Sequence, residues 1–413
     1  MRPRKNGLLV ALLLFALIIS TACSSKPATS PTSPAQGAQG SVYKIGFVAA
    51  ITGSGSTLGE PERDAAVMLQ KQLDAQGGIK GPDGVLHPVK IIILDTESSG
   101  DVAVPVVKKL ITDEGVVAIV GPTTSPESMA LIPVIQEAEV PNVSMASSSS
   151  IVEPVAERKW IFKSAQSNRH TAPWQVRYVK AKGLTKIANF YVNNAYGEDG
   201  RDGIRAAAKE MGVSIILEDT FGATDTDMTA QLTKLKASGA QALLVTATPP
   251  SASILTKQFR EMGLTIPLVH NHGIAMQSFI TLSTEAAAEG VLFPMGKMVA
   301  AAALPDSDPQ KKVLLDFMRD YEKSSGKPPS TFAGHAWDGL QLVLRGLETL
   351  PNGLSLKDQR ARLRDAIENT KGLVGTAGTF NLSPQDHVGL SEKDIVLARI
   401  TKGAWQYFPE DKW

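Results

Sequence analysis

From residue 44 onward, short apolar runs alternate with amphipathic stretches. Residues 44–51 form a short apolar run that reads as a buried strand. Thr52, Gly53, Ser54, Gly55 and Ser56 follow at once. Such a turn of small residues lets backbone approach a ligand closely. From Leu58 the period becomes helical, with Ala65, Ala66, Leu69 and Leu73 on one face. The order strand, glycine-rich turn, helix leaves backbone N–H groups at a helix start, where an anion can be held. Two anions suit such a turn: a nucleotide phosphate or the carboxylate of a small molecule.

The same rhythm recurs downstream. Apolar runs at 89–94, 116–120 and 141–144 read as strands, with helical pattern at 102–111 and from Thr123 to about Glu139. Pro126 suits the first turn of that second helix. A further series begins near 160–162 and has strands at 186–192, 213–217, 241–246 and 267–270, with helices at about 198–210, 228–237 and up to Met262. The last third is more helical, over 311–323, 333–350 and 356–369, and ends in two weaker strands at 395–400 and 405–408. Strands alternating with helices predict an α/β fold with parallel sheets covered on both faces. Two such series predict two open lobes. Ligands of such sheets sit beyond the carboxyl ends of the strands. The candidate site is therefore made of the turns at 52–59, 121–125, 146–150, 193–197, 246–250 and 271–273.

Composition narrows the class. A chain of 413 residues is expected to hold two domains, and its 43% hydrophobic content supports a substantial core. A net charge of +1 argues against a dedicated nucleic-acid binder. One cysteine excludes an internal disulfide framework. At the N-terminus, Arg2, Arg4 and Lys5 precede an apolar run of 12 residues at 8–19. That run is too short to span a bilayer and has the length of a signal-peptide core. Ser20, Thr21, Ala22 and Cys23 follow, placing the cysteine where a bacterial lipoprotein is cut and acylated. Ser20 stands where such sites usually carry leucine, and Ser20 and Ala22 also suit an ordinary signal peptidase. Residues 24–40, rich in Ser, Pro, Thr and Gly, read as a tether with nothing to bury. The expected organisation is a signal peptide at 1–22, a lipid-anchored linker at 23–42, and a working part outside the cytoplasm.

At the turns, the sequence resembles the leucine/isoleucine/valine-type (branched-chain amino acid) substrate-binding proteins of ABC importers. IGFVAAITGSGSTLG…QLDAQGGIKG, AIVGPTTSPES, PNVSMASSSS, IANFYVNNAYGEDG and AGHAWDGLQLVLRGL occur in that family's order and spacing. The resemblance runs from about Val42 to the C-terminus. It implies the type I periplasmic-binding fold: two Rossmann-like lobes with parallel sheets, joined by a three-strand hinge. The lobes would comprise 43–165 plus 296–380 and 166–295 plus 381–413, with crossings near 162–167, 293–297 and 378–383. They would close on ligand by hinge motion, and an importer's membrane subunits would recognise the closed form. The resemblance also implies site roles. Ser125 would hold a ligand carboxylate with its hydroxyl and N–H, Ala146 and Ser148 would complete that grip, and Ser147 is a further candidate ligand contact. Tyr196 would cover the ligand from the second lobe. Leu58 would line the pocket, and Thr248 lies where a second aromatic often sits. His272 lies where amino-acid binders place an acid against the ligand ammonium. A carboxylate pairs with ammonium by a charge-assisted bond; histidine does not. The expected ligand is thus a small carboxylate, either an amino acid served by an acid from elsewhere (Glu198 or Asp199) or an aromatic or aliphatic organic acid lacking the α-amino group. The expected protein is a monomer that uses no cofactor or metal and performs no chemistry on its ligand.

Other readings compete. Gly53, Gly55 and Gly59 approximate a dinucleotide fingerprint, and Asp95 ends the next strand like a ribose-binding acid, but it lies 36 residues beyond Gly59 rather than about 20. His270 and His272 would share one side of a continuing strand, as a metal pair needs. Ser125 or the run Ser147–Ser150 could supply a nucleophile, though no G-x-S-x-G elbow is present. An exported hydrolase and a ligand-sensing domain of the same fold are the rival functions.

Overall fold

The structure is a computed structural model that describes residues 40–413. The signal-peptide and Cys23 expectations fall outside the described residues. Among these, no helix is long and apolar enough to cross a membrane.

The first sheet begins with β1 (Tyr43–Ala49), followed by α1 (Ser56–Gln76) and a small ribbon of β2 (Ile79–Lys80) and β3 (Leu86–His87). Next come β4 (Val89–Asp95), α2 (Gly100–Thr112), β5 (Ala118–Val120), α3 (Ser125–Ala138), β6 (Asn142–Ser144) and β7 (Ile161–Lys163). The strand order is β4-β1-β5-β6-β7, parallel throughout. Neighbouring residues of a strand point to opposite faces. In β1 nearly every residue is buried, so both faces of the sheet are covered. On the covering layers α1 packs against a late helix, α11 (Thr331–Leu347), and α2 packs against α3. A Cβ on Gly59 would lie 2.1 Å from the Ala50 carbonyl oxygen. Only glycine lets α1 start so close to the end of β1.

The second sheet follows α4 (Asn168–Ala181). It takes β8 (Lys186–Val192), α5 (Ala195–Met211), β9 (Ser214–Phe221), α6 (Thr229–Ser238), β10 (Ala242–Thr246), α7 (Ser251–Glu261) and β11 (Leu268–His270). Two short helices, α8 (Gln277–Ser283) and α9 (Glu285–Ala288), lead to β12 (Leu292–Gly296). The chain then returns to the first sheet with α10 (Pro309–Ser325), α11 (Thr331–Leu347), α12 (Leu356–Glu368) and a ribbon of β13 (Leu373–Val374) and β14 (Thr379–Phe380). It ends in β15 (Ile395–Thr401) and β16 (Ala404–Tyr407), which add antiparallel strands to the second sheet. The order there is β16-β15-β12-β11-β10-β8-β9. The chain thus passes between the two sheets three times, after β7, after β12 and after β14. Gln166 in the first passage donates from Nε2 to the Ala377 carbonyl near the third, at 2.7 Å.

Two elements escape the hydrophobic pattern. β12 reads LFPMG, and Pro294 inside it argues against a strand. It forms nonetheless: β12 meets β11 only at Leu292, and Pro294 lies opposite Leu397 of β15 in antiparallel register. α4 carries Pro173 and a polar first turn, which masks its helical period. α5 begins at Ala195, earlier than its apolar pattern suggests. Asn194 caps it by accepting from the Tyr196 and Gly197 N–H groups.

Candidate ligand cavity

A cavity of about 160 Å³ lies where the carboxyl ends of the two sheets meet. All six turns named from the sequence contribute to its wall. Drug-sized ligands need roughly 300–1,000 Å³, so this space suits a small metabolite. Leu58, Ser125, Ala146, Ser147, Tyr196, Thr248 and His272 line it; Ser148 does not.

The first sheet supplies one end. α3 starts at Ser125 behind a capping box, in which the Thr124 side chain accepts from the Glu127 N–H and the Glu127 carboxylate accepts from the Thr124 N–H. The first N–H groups of a helix have no intrahelical acceptor, but Pro126 has none to give and the capping box takes those of Thr124 and Glu127, so α3 leaves the single N–H of Ser125 at the cavity. Ser125 Oγ accepts from the Ser148 N–H at 3.2 Å, which leaves its own proton free for a ligand. Ser148 therefore acts behind Ser125, and its own hydroxyl is buried without a partner. The Ala146 N–H is likewise taken, by Ser144 Oγ at 3.1 Å. Ala146 and Ser148 shape this end without offering these N–H groups to a ligand. Thr123, also in the wall, accepts from the Ala50 N–H at 2.9 Å and donates to Glu62. Glu62 is fully buried, and burial raises its pKa well above the usual carboxylate range.

The glycine-rich turn after β1 spends several of its donors on itself. Asp95 accepts from the Ile51 and Thr52 N–H groups at 3.0 and 3.1 Å and from the Thr52 hydroxyl at 2.6 Å. The Gly55 N–H goes to Ser98 Oγ at 2.8 Å, and the Ser56 N–H to the Gly53 carbonyl. Those four N–H groups hold the turn in place. Asp95 is spent there too, which removes the acid that a nucleotide reading needs.

The second sheet supplies the other end. Tyr196, in the first turn of α5, is buried, and its hydroxyl accepts from the Gly273 N–H at 3.1 Å. A Cβ on Gly273 would lie 2.6 Å from that hydroxyl, so the approach requires glycine. Tyr196 meets the His272 ring edge-on, with centroids 5.9 Å apart. His272 Nε2 lies 2.7 Å from Ser147 Oγ, a contact that joins the two halves of the cavity. His272 Nδ1 lies 2.8 Å from Asn271 Oδ1. Asn271 in turn donates to Asn168 Oδ1 at 3.0 Å, and Asn168 donates to Asp199 at 2.8 Å. Burial lowers the His272 pKa to about 3, helped by the nearby His335, Lys163 and His170, so the ring is neutral. His270 ends β11 and faces Thr256 Oγ1 at 2.9 Å. The strand stops before His272, so the two imidazoles turn to separate partners rather than sharing a side.

No Asp, Glu, Lys or Arg side chain lines this cavity among the described residues. Asp199 is held by Asn168 and by the Ser149 N–H, and Glu198 is absent from the wall. Ser147, by contrast, has the histidine partner that the sequence did not reveal. It is 125 positions away in the chain, and no local spacing signals such a pair. Nucleophile, base and orienting amide stand in line, yet the flanking Ala146 and Ser148 N–H groups are already bonded. Two of the backbone donors that could serve an oxyanion beside Ser147 are thus already committed. Phe332, in the first turn of α11, and Met145 also line the cavity, and neither was singled out from the sequence. A lone aromatic or methionine in an apolar stretch reads as core.

The sequence profile described as periplasmic binding protein matches residues 42–404. The chain belongs to the periplasmic binding protein family. A leucine-, isoleucine-, valine-, threonine- and alanine-binding protein of Pseudomonas aeruginosa is 24% identical over 338 residues, covering 80% of this chain and 85% of that one. An extracellular ligand-binding receptor from Rhodopseudomonas palustris HaA2 superposes with a TM-score of 0.82 at 28% identity, covering 89% of this binding protein and 99% of the receptor. A type 1 periplasmic binding protein from Bordetella pertussis gives a TM-score of 0.78 at 22% identity, covering 89% and 100%. The type I fold expected from the sequence is the fold observed.

Proposed function

We propose that this binding protein is the extracytoplasmic component of an ABC importer and captures a small aliphatic or aromatic carboxylate lacking an α-amino group. The observation that carries this reading is the wall of the cavity. It offers the Ser125 N–H and hydroxyl to a carboxylate, and, among the described residues, no charged side chain to an ammonium. An ion buried without a partner is strongly disfavoured. The Leu/Ile/Val-binding relatives support capture of a small carboxylate as the shared task. Lobes of 43–165 plus 296–380 and 166–295 plus 381–413 would close over the ligand, and Cys23 would tether the monomer to the membrane.

A thermal-shift panel tests the ligand class. It pairs leucine with 4-methylpentanoate and phenylalanine with 3-phenylpropanoate. A ligand at 100 times its dissociation constant stabilises the folded state by roughly 2.7 kcal/mol. Shifts with the acids and none with the amino acids are expected. A larger shift with an amino acid than with its matched acid would return the protein to the amino-acid importers. Release of the protein from membranes on Cys23→Ala substitution tests the anchor.

A further inference from the structure

The hydrogen-bond chain behind His272 has a fixed direction, and that direction specifies what the ligand must present to Ser147. Asn271 Oδ1 accepts from the His272 backbone N–H at 2.8 Å. A backbone N–H can only donate, so the oxygen of this amide is assigned without ambiguity. The opposite end agrees. Asn168 Nδ2 donates to the Tyr196 carbonyl at 3.1 Å, a group that can only accept, and this leaves Asn168 Oδ1 to receive Asn271 Nδ2. His272 Nδ1 faces the same Asn271 oxygen at 2.8 Å, so Nδ1 carries the proton. In a neutral imidazole Nε2 is then a bare acceptor, and its neighbour at 2.7 Å, Ser147 Oγ, must donate to it. The single hydroxyl proton of Ser147 is thereby spent. Toward the cavity Ser147 shows only lone pairs. Ser125 and Tyr196 show the reverse, since each hydroxyl already accepts from a backbone N–H and keeps its proton for the ligand.

Resting on the carboxylate reading above, we infer that the ligand is a 2-hydroxy carboxylate, whose hydroxyl donates to Ser147 Oγ while its carboxylate is held at Ser125. Ser125 and Ser147 both line the cavity, so acceptor and carboxylate donor face the same small space. A 2-oxo acid would set its carbonyl oxygen against the Ser147 lone pairs. A 2-amino acid would bring the donor together with a charge that the wall does not oppose.

Isothermal titration of the full-length protein tests this with two matched series. One is 4-methylpentanoate with its 2-hydroxy, 2-oxo and 2-amino counterparts; the other is the same set built on 3-phenylpropanoate. In at least one series the 2-hydroxy acid should bind about tenfold more tightly than the unsubstituted and 2-oxo acids. Ser147→Ala should bring that preference within about threefold while binding of the unsubstituted acid persists, and Ser147→Thr should retain the preference. An unsubstituted or 2-oxo acid binding as tightly as the 2-hydroxy acid overturns the inference and leaves the carboxylate reading standing. The amino acid binding most tightly, or no member of either series binding, overturns both.

Discussion

The two ends of the cavity are built on different principles. At the first-sheet end, recognition comes from a helix start and residues close in sequence: Thr124 caps α3, Ser125 opens it, and Ser148 is held against Ser125 across two adjacent strands. At the second-sheet end, it comes from side chains far apart in sequence, namely Asn168, Tyr196, His272 and Gly273. The first end offers the N–H and hydroxyl of one residue, Ser125, because Pro126 has no N–H and the capping box consumes those of Thr124 and Glu127. The second end has a polarity that each member imposes on the next. One half of the site can therefore be general for carboxylates while the other discriminates among them.

The largest expected effect strikes the general end. Ser125→Ala removes a hydroxyl donor to a charged ligand, an interaction worth roughly 1.5–3 kcal/mol. Affinity for every ligand that binds should fall at least tenfold by titration calorimetry, with the ranking of ligands unchanged. Gly273→Ala strikes the discriminating end. Its added carbon meets the Tyr196 hydroxyl and, at 2.8 Å, the Ala247 carbonyl. Overpacking of this kind costs about 1–3 kcal/mol, so affinity should fall and the ranking of ligands should change. An unchanged ranking would show that the Tyr196–Gly273 contact has no part in selection.

The next effect concerns protonation. Burial, with the Arg260 guanidinium in second place, lowers the His270 pKa to about 3. The unfolded chain, with an ordinary histidine near 6.5, binds this proton first as the pH falls. Stability from keeping His270 neutral is thus complete above about pH 6.5 and erodes toward pH 3. Other buried groups titrate over the same range, and burial pushes Asp338 the opposite way, up to about 7. The difference between parent and His270→Asn isolates one residue. Urea unfolding between pH 6 and 4 should give the variant a dependence on pH shallower by up to about 1.4 kcal/mol per pH unit. Parallel curves would mean that His270 is already protonated in the fold. The smallest effect belongs to Thr124→Ala, which removes the cap of α3 and should lower unfolding free energy by about 1 kcal/mol.

The contrast between the two ends also governs what the sequence revealed. Strand, turn and helix spacing located all six turns of the cavity wall, because each is marked by a local change of period. The bonds that hold the 52–59 turn were not legible, since their acceptors, Asp95 and Ser98, lie more than 40 residues away. Ser147 looked like one serine in a run of four, and only the fold brings His272 against it. Asn168 carried no signal, as a polar residue in a helix whose period Pro173 obscures. Phe332 likewise read as core until α11 brought it to the cavity. Position within an element was legible, whereas pairing between sheets was not.

The central claim is that the cavity holds a carboxylate and has no counter-charge for an amino group. Calorimetric titration of one protein sample with leucine and 2-hydroxy-4-methylpentanoate, and then with phenylalanine and 3-phenyllactate, tests it most directly. Each pair differs only in the group on the carbon next to the carboxylate. Tighter binding of the hydroxy acid, by about tenfold or more in at least one pair, is the predicted result. Tighter binding of leucine or phenylalanine would contradict the account, because it would require a charged ammonium partner, which the cavity wall does not contain among the described residues.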